Sequence, residues 1–243
     1  MTKTIEQMMR EVKLGGLAKD WRSVKYSDSE QYVRDLLTLE LIEREANRTA
    51  KYTKQAGFRV IKTFDNFKWK PGIEIPDSIS REDIESAEFV KRAENLILMG
   101  SNGTGKTHLA TAIAVRLCRL GMQAKFFTAT GLSNILQEKR DSGNLAKYLT
   151  SLQKNDLIVI DEIGYITLHK EAAELIFQVV GDCYEQRSII ITSNLEFSQW
   201  NTVFGDSKLT AALIDRLIHH SHIVIFSGQG YRMEEALNRQ RKE

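Results

Sequence analysis

Residues 100–107 read Gly-Ser-Asn-Gly-Thr-Gly-Lys-Thr, with four residues between the first and last glycine and Lys-Thr directly after. This run constrains the chain more than any other. Before it lies a short apolar stretch, Asn95–Met99, that reads as a strand. After it, His108–Val115 reads as a helix with no breaker inside. A strand that ends in a glycine loop and opens a helix lets the backbone wrap an anion, with the positive helix end facing the charge. Glycines permit close approach of the backbone amides to phosphate. Lys106 can set a positive charge against the β- and γ-phosphates, and Thr107 can offer its hydroxyl to Mg2+. The expected nucleotide contacts are Gly100, Ser101, Asn102, Gly103, Thr104, Gly105, Lys106, Thr107 and His108. The plain alternative is a glycine-rich turn before an ordinary helix. The sequence predicts a nucleoside triphosphate site.

Three further segments bear on that site. Leu157-Ile-Val-Ile-Asp161-Glu162 is an apolar strand ending in two carboxylates. Such an end is expected where a charge sits beyond the strand tip, although the pair could simply open a solvated loop. In the first reading Asp161 holds hydrated Mg2+, directly or through water, and Glu162 is the general base for the attacking water. Ser188-Ile-Ile-Ile-Thr192-Ser193-Asn194 ends a second apolar strand in hydroxyl and amide groups. Asn194 is the first candidate to orient water and sense the γ-phosphate, with Thr192 and Ser193 as alternatives; Ser and Asn also favour ordinary turns. Arg216 sits on an amphipathic helix, Ala211–His220, before the last strand. An Asp-Arg pair on a helix is usually a solvated feature, but an arginine delivered by a neighbouring subunit could stabilise transition-state charge.

Around these segments the chain alternates strands and helices. Candidate strands are Asn95–Met99, Ala124–Thr128, Leu157–Ile160, Ile189–Thr192 and His222–Phe226, which implies a five-stranded parallel α/β sheet covered by helices on both faces. The start of the chain has helical period instead. Ile5, Met8, Met9 and Val12 share one face, and Tyr32, Val33, Leu36, Leu37, Leu39, Leu41 and Ile42 are spaced for burial on another. The only prolines, Pro71 and Pro76, mark a linker. A helical domain over residues 1–66 and a nucleotide domain over 67–243 are expected.

A chain of 243 residues with net charge +2 gives no global electrostatic pointer to a partner, so any nucleic-acid surface must be a local patch. One candidate patch runs from Arg44 to Lys62, and a second comprises Lys125, Lys139, Arg140 and Lys147. Cys118 and Cys183 match no metal or redox spacing and read as buried thiols in a reducing compartment. No long apolar segment or signal pattern is present, so a soluble cytoplasmic protein without a membrane partner is expected. His219, His220 and His222 show no metal-site spacing, and adjacent helical histidines diverge. They read as surface or subunit-contact groups. Trp21, Trp69 and Trp200 read as packing anchors.

Together the four nucleotide-site segments resemble an AAA+ P-loop ATPase. Gly103-Thr-Gly-Lys-Thr-His-Leu-Ala110, Ile160-Asp-Glu-Ile-Gly-Tyr165, Ile190-Ile-Thr-Ser-Asn194, Phe197-Ser-Gln-Trp200, Val203-Phe-Gly-Asp206 and Ala212-Leu-Ile-Asp-Arg-Leu-Ile-His-His-Ser221 narrow the resemblance to the IstB family of insertion-sequence ATPases, related to DnaC-type helicase loaders. The resemblance implies ATP and Mg2+ as ligands, an ATP-dependent homo-oligomer on double-stranded DNA, a transposase partner, and slow ATP hydrolysis. It implies that Asn194 is the first sensor and Arg216 a trans-acting finger, with Arg232 a weaker candidate for a second sensor. The chain departs from relatives at Ser101-Asn102 and in Ser227-Gly-Gln-Gly-Tyr-Arg232, and a full C-terminal lid is not expected. A replicative helicase loader is the competing reading. The absence of a cysteine set before Cys118 argues mildly against it.

Overall fold

The computed structural model describes residues 3–228. Contacts divide the chain into two units at Tyr52/Thr53, upstream of the 66/67 boundary expected from the sequence.

In the first unit, α1 (Ile5–Glu11) opens with a capping box between Thr4 and Gln7. The short α2 (Leu17–Asp20) follows, and then the long α3 (Ser29–Ala56), which runs on past the division. Asp28 starts α3 by accepting from the amides of Glu30 and Gln31. The Glu40 carboxylate is buried and accepts from the Leu17 amide and from Arg44. Burial would raise this carboxyl, but Arg44 and the Leu17 amide outweigh it and hold it below the ordinary range. The broad apolar face expected to be buried on α3 is a correction: Val33, Leu37, Leu41 and Ile42 are each more than half exposed. The reason is length. Helices of seven and four residues cannot cover one of 28.

The second unit is built on strands β1 (Ile73–Glu74), β2 (Asn95–Gly100), β3 (Ala124–Thr128), β4 (Leu157–Ile163), β5 (Ser188–Ser193) and β6 (Ser221–Phe226). Their order is β1-β6-β2-β5-β4-β3. Strands β2 to β6 pair in parallel, and β1 is antiparallel on β6. The expected sheet of five strands is thus one of six. The extra edge strand comes from the Pro71–Pro76 stretch read as a linker. Ile73 pairs with Phe226, and Ser227 N donates to Gly72 O at 2.6 Å. A strand of two residues is too short to show a period-two pattern.

Helices α4 (Arg81–Ser86), α5 (Glu88–Lys91), α6 (Lys106–Arg119), α7 (Ala129–Asp141), α8 (Leu145–Leu152), α9 (Lys170–Cys183), α10 (Asn201–Phe204) and α11 (Ser207–Ile218) pack around the sheet. Alternate residues Ile97 and Met99, Ile158 and Ile160, and Ile189 and Ile191 join one core with α7 to α11. The residues between them face the other side, where α6 packs with Leu109, Ile113 and Leu117 fully buried. Each such side chain contributes roughly 1.5–3 kcal/mol relative to exposure. Central placement of β2, β5 and β4 brings their carboxyl ends side by side, which is where ligands bind in open α/β sheets. The expectations for Arg232 and for a missing lid concern residues after 228 and lie outside the described residues. No helix among the described residues is long and apolar enough to cross a membrane.

Candidate functional site

Strand β2 ends at Gly100, with φ +140°. A Cβ there would strike the Phe226 carbonyl oxygen, so only glycine lets the loop pass β6. Five residues later Gly105, with φ +112°, caps α6. The unsatisfied amides of the first helical turn therefore open into the loop.

Lys106 is only 8% exposed. Its Nζ donates to Gly100 O at 2.6 Å and Ser101 O at 2.7 Å, which folds the ammonium back over the loop. Burial pushes this group down to about 8, and the nearby Asp161 carboxylate opposes the shift. A pH dependence follows. Above about pH 8 the free protein loses this proton, and a bound triphosphate would have to recover it. ATP affinity should therefore be flat below that pH and fall above it, by up to about tenfold per pH unit. Fluorescent-nucleotide titrations at pH 7 and 9 measure this; equal affinities would contradict it.

Across from the lysine, Asp161 is 3% exposed. Its Oδ1 accepts from Thr107 Oγ1 at 2.9 Å and from Thr192 Oγ1 at 2.6 Å. Thr192 Oγ1 in turn accepts from the Glu162 amide at 2.9 Å. A chain of hydrogen bonds thus links α6, β4 and β5. Glu162 has φ +65°, and the register of β4 on β5 is irregular between Ile160 and Ile163. Neighbouring residues of a regular strand point to opposite faces. The irregularity breaks that alternation, so Asp161 reaches Thr107 while Glu162 lines the adjoining cavity. Such backbone costs about 1–3 kcal/mol and persists where its surroundings enforce it.

Hydrogen bonding also sorts the three polar groups at the end of β5. Thr192 is committed to Asp161 and Glu162. Ser193 Oγ bonds Ile163 O, Leu195 O and the Leu195 amide. Asn194 lines the cavity, and its buried Oδ1 has no hydrogen-bond partner among the described residues.

The cavity holds about 320 Å³, within the range of small-molecule sites. The expected loop residues Asn102 to His108 line it together with Glu162, Thr192 and Asn194, while Gly100 and Ser101 supply the carbonyls that hold Lys106. Tyr165 adds to this wall, and the rest of it is not legible in the sequence. Lys62, Asn66, Phe67, Lys68 and Lys70 come from the segment before β1. The Phe67 ring lies edge-on to Trp69 and His108, and the His108 ring nitrogen bonds Thr63 O. Alternating aromatic and basic residues are the available signal, although in the sequence Lys62 reads as part of a surface patch and Trp69 as a packing anchor. Trp200 is fully buried.

Arg216 is not part of this cavity. Its guanidinium lies 4.4 Å from the centre of the Phe177 ring on α9. A Cβ on Gly181, one turn along the same helix, would come within 2.7 Å of Arg216 Nη1. The glycine opens the berth that the arginine fills.

Residues 8–239 match the family described as IstB-like ATP binding protein. Over its full length the chain is 32% identical to the protein of Geobacillus stearothermophilus named as the ATP-binding protein of insertion sequence IS5376, covering 99% of it. It is 38% identical, across 75% of this chain and 68% of the relative, to the corresponding IS21 protein of Pseudomonas aeruginosa. Among solved structures, the DnaC helicase loader aligns with a TM-score of 0.53 at 22% identity, over 68% of this chain and 96% of the loader. AMPPCP-bound DnaA from Aquifex aeolicus aligns with a TM-score of 0.54 at 19% identity, over 74% of this chain and 55% of DnaA. These two likenesses establish the AAA+ fold.

Proposed function

The chain belongs to the IstB-like ATP-binding protein family, and on that premise we propose that it is an ATPase that assembles on duplex DNA and engages a transposase during DNA transposition. One observation carries the reading: Lys106, Thr107, Glu162 and Asn194 line a single cavity, with Asp161 hydrogen-bonded to Thr107 behind it, in a chain whose full-length relative belongs to an insertion sequence. Likeness to the DnaC loader concerns the fold alone, so the helicase-loader reading gains nothing from it.

In this reading the amides of residues 102–107 and Lys106 hold the phosphates, and Asn66 and Phe67 offer a wall for the base. The Thr107 and Asp161 oxygens, 2.9 Å apart at the helix start, suit a hard cation; Mg2+ bound there would neutralise phosphate charge. Glu162 takes the proton of the attacking water. Asn194 orients that water, because the Thr192 and Ser193 hydroxyls are already engaged. Arg216 acts on the site of an adjoining subunit of an ATP-dependent oligomer. The helical unit before Thr53 carries partner contacts, and the unit that follows forms the cytoplasmic ATPase domain.

Of the two basic patches, the later one is largely occupied. Lys125 donates to Gln55 O, Lys139 pairs with Glu138, and Arg140 pairs with Asp141 and Glu171. Arg48 and Lys51 on α3 are exposed and have no ion pair among the described residues. They are the favoured phosphate contacts, and DNA association should weaken with salt.

Sedimentation and electron microscopy of the full chain with a long duplex and a non-hydrolysable ATP analogue test the proposal. Nucleotide-dependent assemblies on DNA are expected; DNA binding indifferent to nucleotide would remove it. The arginine has its own test. Arg216→Ala should abolish ATPase activity, and mixing it with Lys106→Ala should restore part of it. Gly181→Ala should raise helix propensity by about 1 kcal/mol, yet displace the guanidinium. We expect unchanged or higher Tm with ATPase activity lowered by up to about a hundredfold, the scale of a misplaced catalytic group. Full activity in Gly181→Ala, with Arg216→Ala inactive, would show that the berth over Phe177 is irrelevant.

A further inference from the structure

We propose that Glu185, His219 and His220 form a binding site for a divalent transition-metal ion of the zinc type. Helical spacing would send adjacent histidines apart, but α11 ends at Ile218. The two rings instead lie 4.2 Å apart, nearly perpendicular, at the start of the turn into β6. Across from them stands Glu185, with φ +57°, in the turn between α9 and β5. Its Oε1 is 3.2 Å from His220 Nε2 and 3.9 Å from His219 Nδ1. One ligand atom from each of the three residues lies within 4.8 Å of the other two. Tetrahedral zinc with bonds of about 2.0–2.1 Å needs donor atoms roughly 3.3–3.4 Å apart. Small side-chain rotations therefore close the site.

The donor chemistry sets the ion. Two imidazoles and one carboxylate suit zinc and its neighbours better than magnesium, which prefers oxygen donors. All three residues are exposed, so the ion can enter from solution. Tyr184 Oη, 2.8 Å from His219 Nδ1, gives up that bond to the ion and keeps its contact with Glu185. His222 takes no part: it is buried on β6 between Ser78 and Glu94. Three protein ligands leave one tetrahedral position open. A bound ion would tie the end of the Arg216 helix to the α9–β5 turn.

The test uses the full chain without a polyhistidine tag, stripped with chelator and free of nucleotide, titrated with Zn2+ and with Co2+. One ion per chain is expected, with the visible absorption of tetrahedral Co2+. His220→Ala and Glu185→Gln should each weaken binding by about tenfold or more. His169→Ala, an exposed histidine elsewhere, should leave it unchanged. Circular-dichroism melts without metal should match wild type for all variants. No ion bound by wild type, undiminished binding in the His219→Ala/His220→Ala double variant, or loss of binding in His169→Ala would each overturn the site.

Discussion

Lys106→Ala is expected to abolish measurable ATP binding and, with it, every ATP-dependent assembly on DNA. The side chain brings a buried positive charge within reach of the loop, and its hydrogen bonds to the Gly100 and Ser101 carbonyls show how closely that loop wraps it. Hydrogen bonds from a charged donor are worth about 1.5–3 kcal/mol each. Two of them to phosphate oxygens, once lost, weaken binding by roughly a hundredfold or more. Stability should not fall in parallel. Burial already depresses this ammonium to about 8, so the folded protein gains by losing it while the ligand site does not. The check is a nucleotide titration beside a thermal melt. Wild-type affinity in the variant would detach the cavity from triphosphate binding.

Glu162→Gln should do the opposite to the two halves of the cycle. Gln keeps the length and shape of the side chain and tolerates the same backbone, so ATP binding and Tm should stay close to wild type. The carboxylate that accepts a proton is gone, and general-base loss costs about 10²–10⁴ in rate. Single-turnover hydrolysis should therefore collapse while nucleotide-dependent DNA assemblies persist and dissociate slowly. Turnover at the wild-type rate would reject Glu162 as the base and shift attention to Asp161.

How much of this was legible in the sequence depended on the distance over which each feature is built. The phosphate loop and the paired carboxylates are local: spacing alone places Lys106 beside Thr107 and Asp161 beside Glu162. The central strands were equally plain, because buried parallel strands read as apolar runs. What could not be read was long-range. In sequence Thr192 and Asn194 are equivalent candidates, and only the bonds of Thr192 to Asp161 and the Glu162 amide separate them. The wall from Lys62 to Lys70 depends on Phe67 meeting His108, a contact that no pattern within that segment announces. Strand β1 exists only because β6 lies beside it. For α3 the failure ran the other way: a periodic apolar face promised burial, and the short helices near it could not supply the cover.

The kink at Glu162 sets a limit on engineering this protein. A designer seeking heat resistance would relax the left-handed residue, by glycine or by a straightened strand, and would gain roughly what the distortion costs, about 1–3 kcal/mol. Regular pleating would then turn the glutamate position away from its neighbour's side of the sheet. The sturdier molecule would still hold its nucleotide and would have nothing left with which to break it.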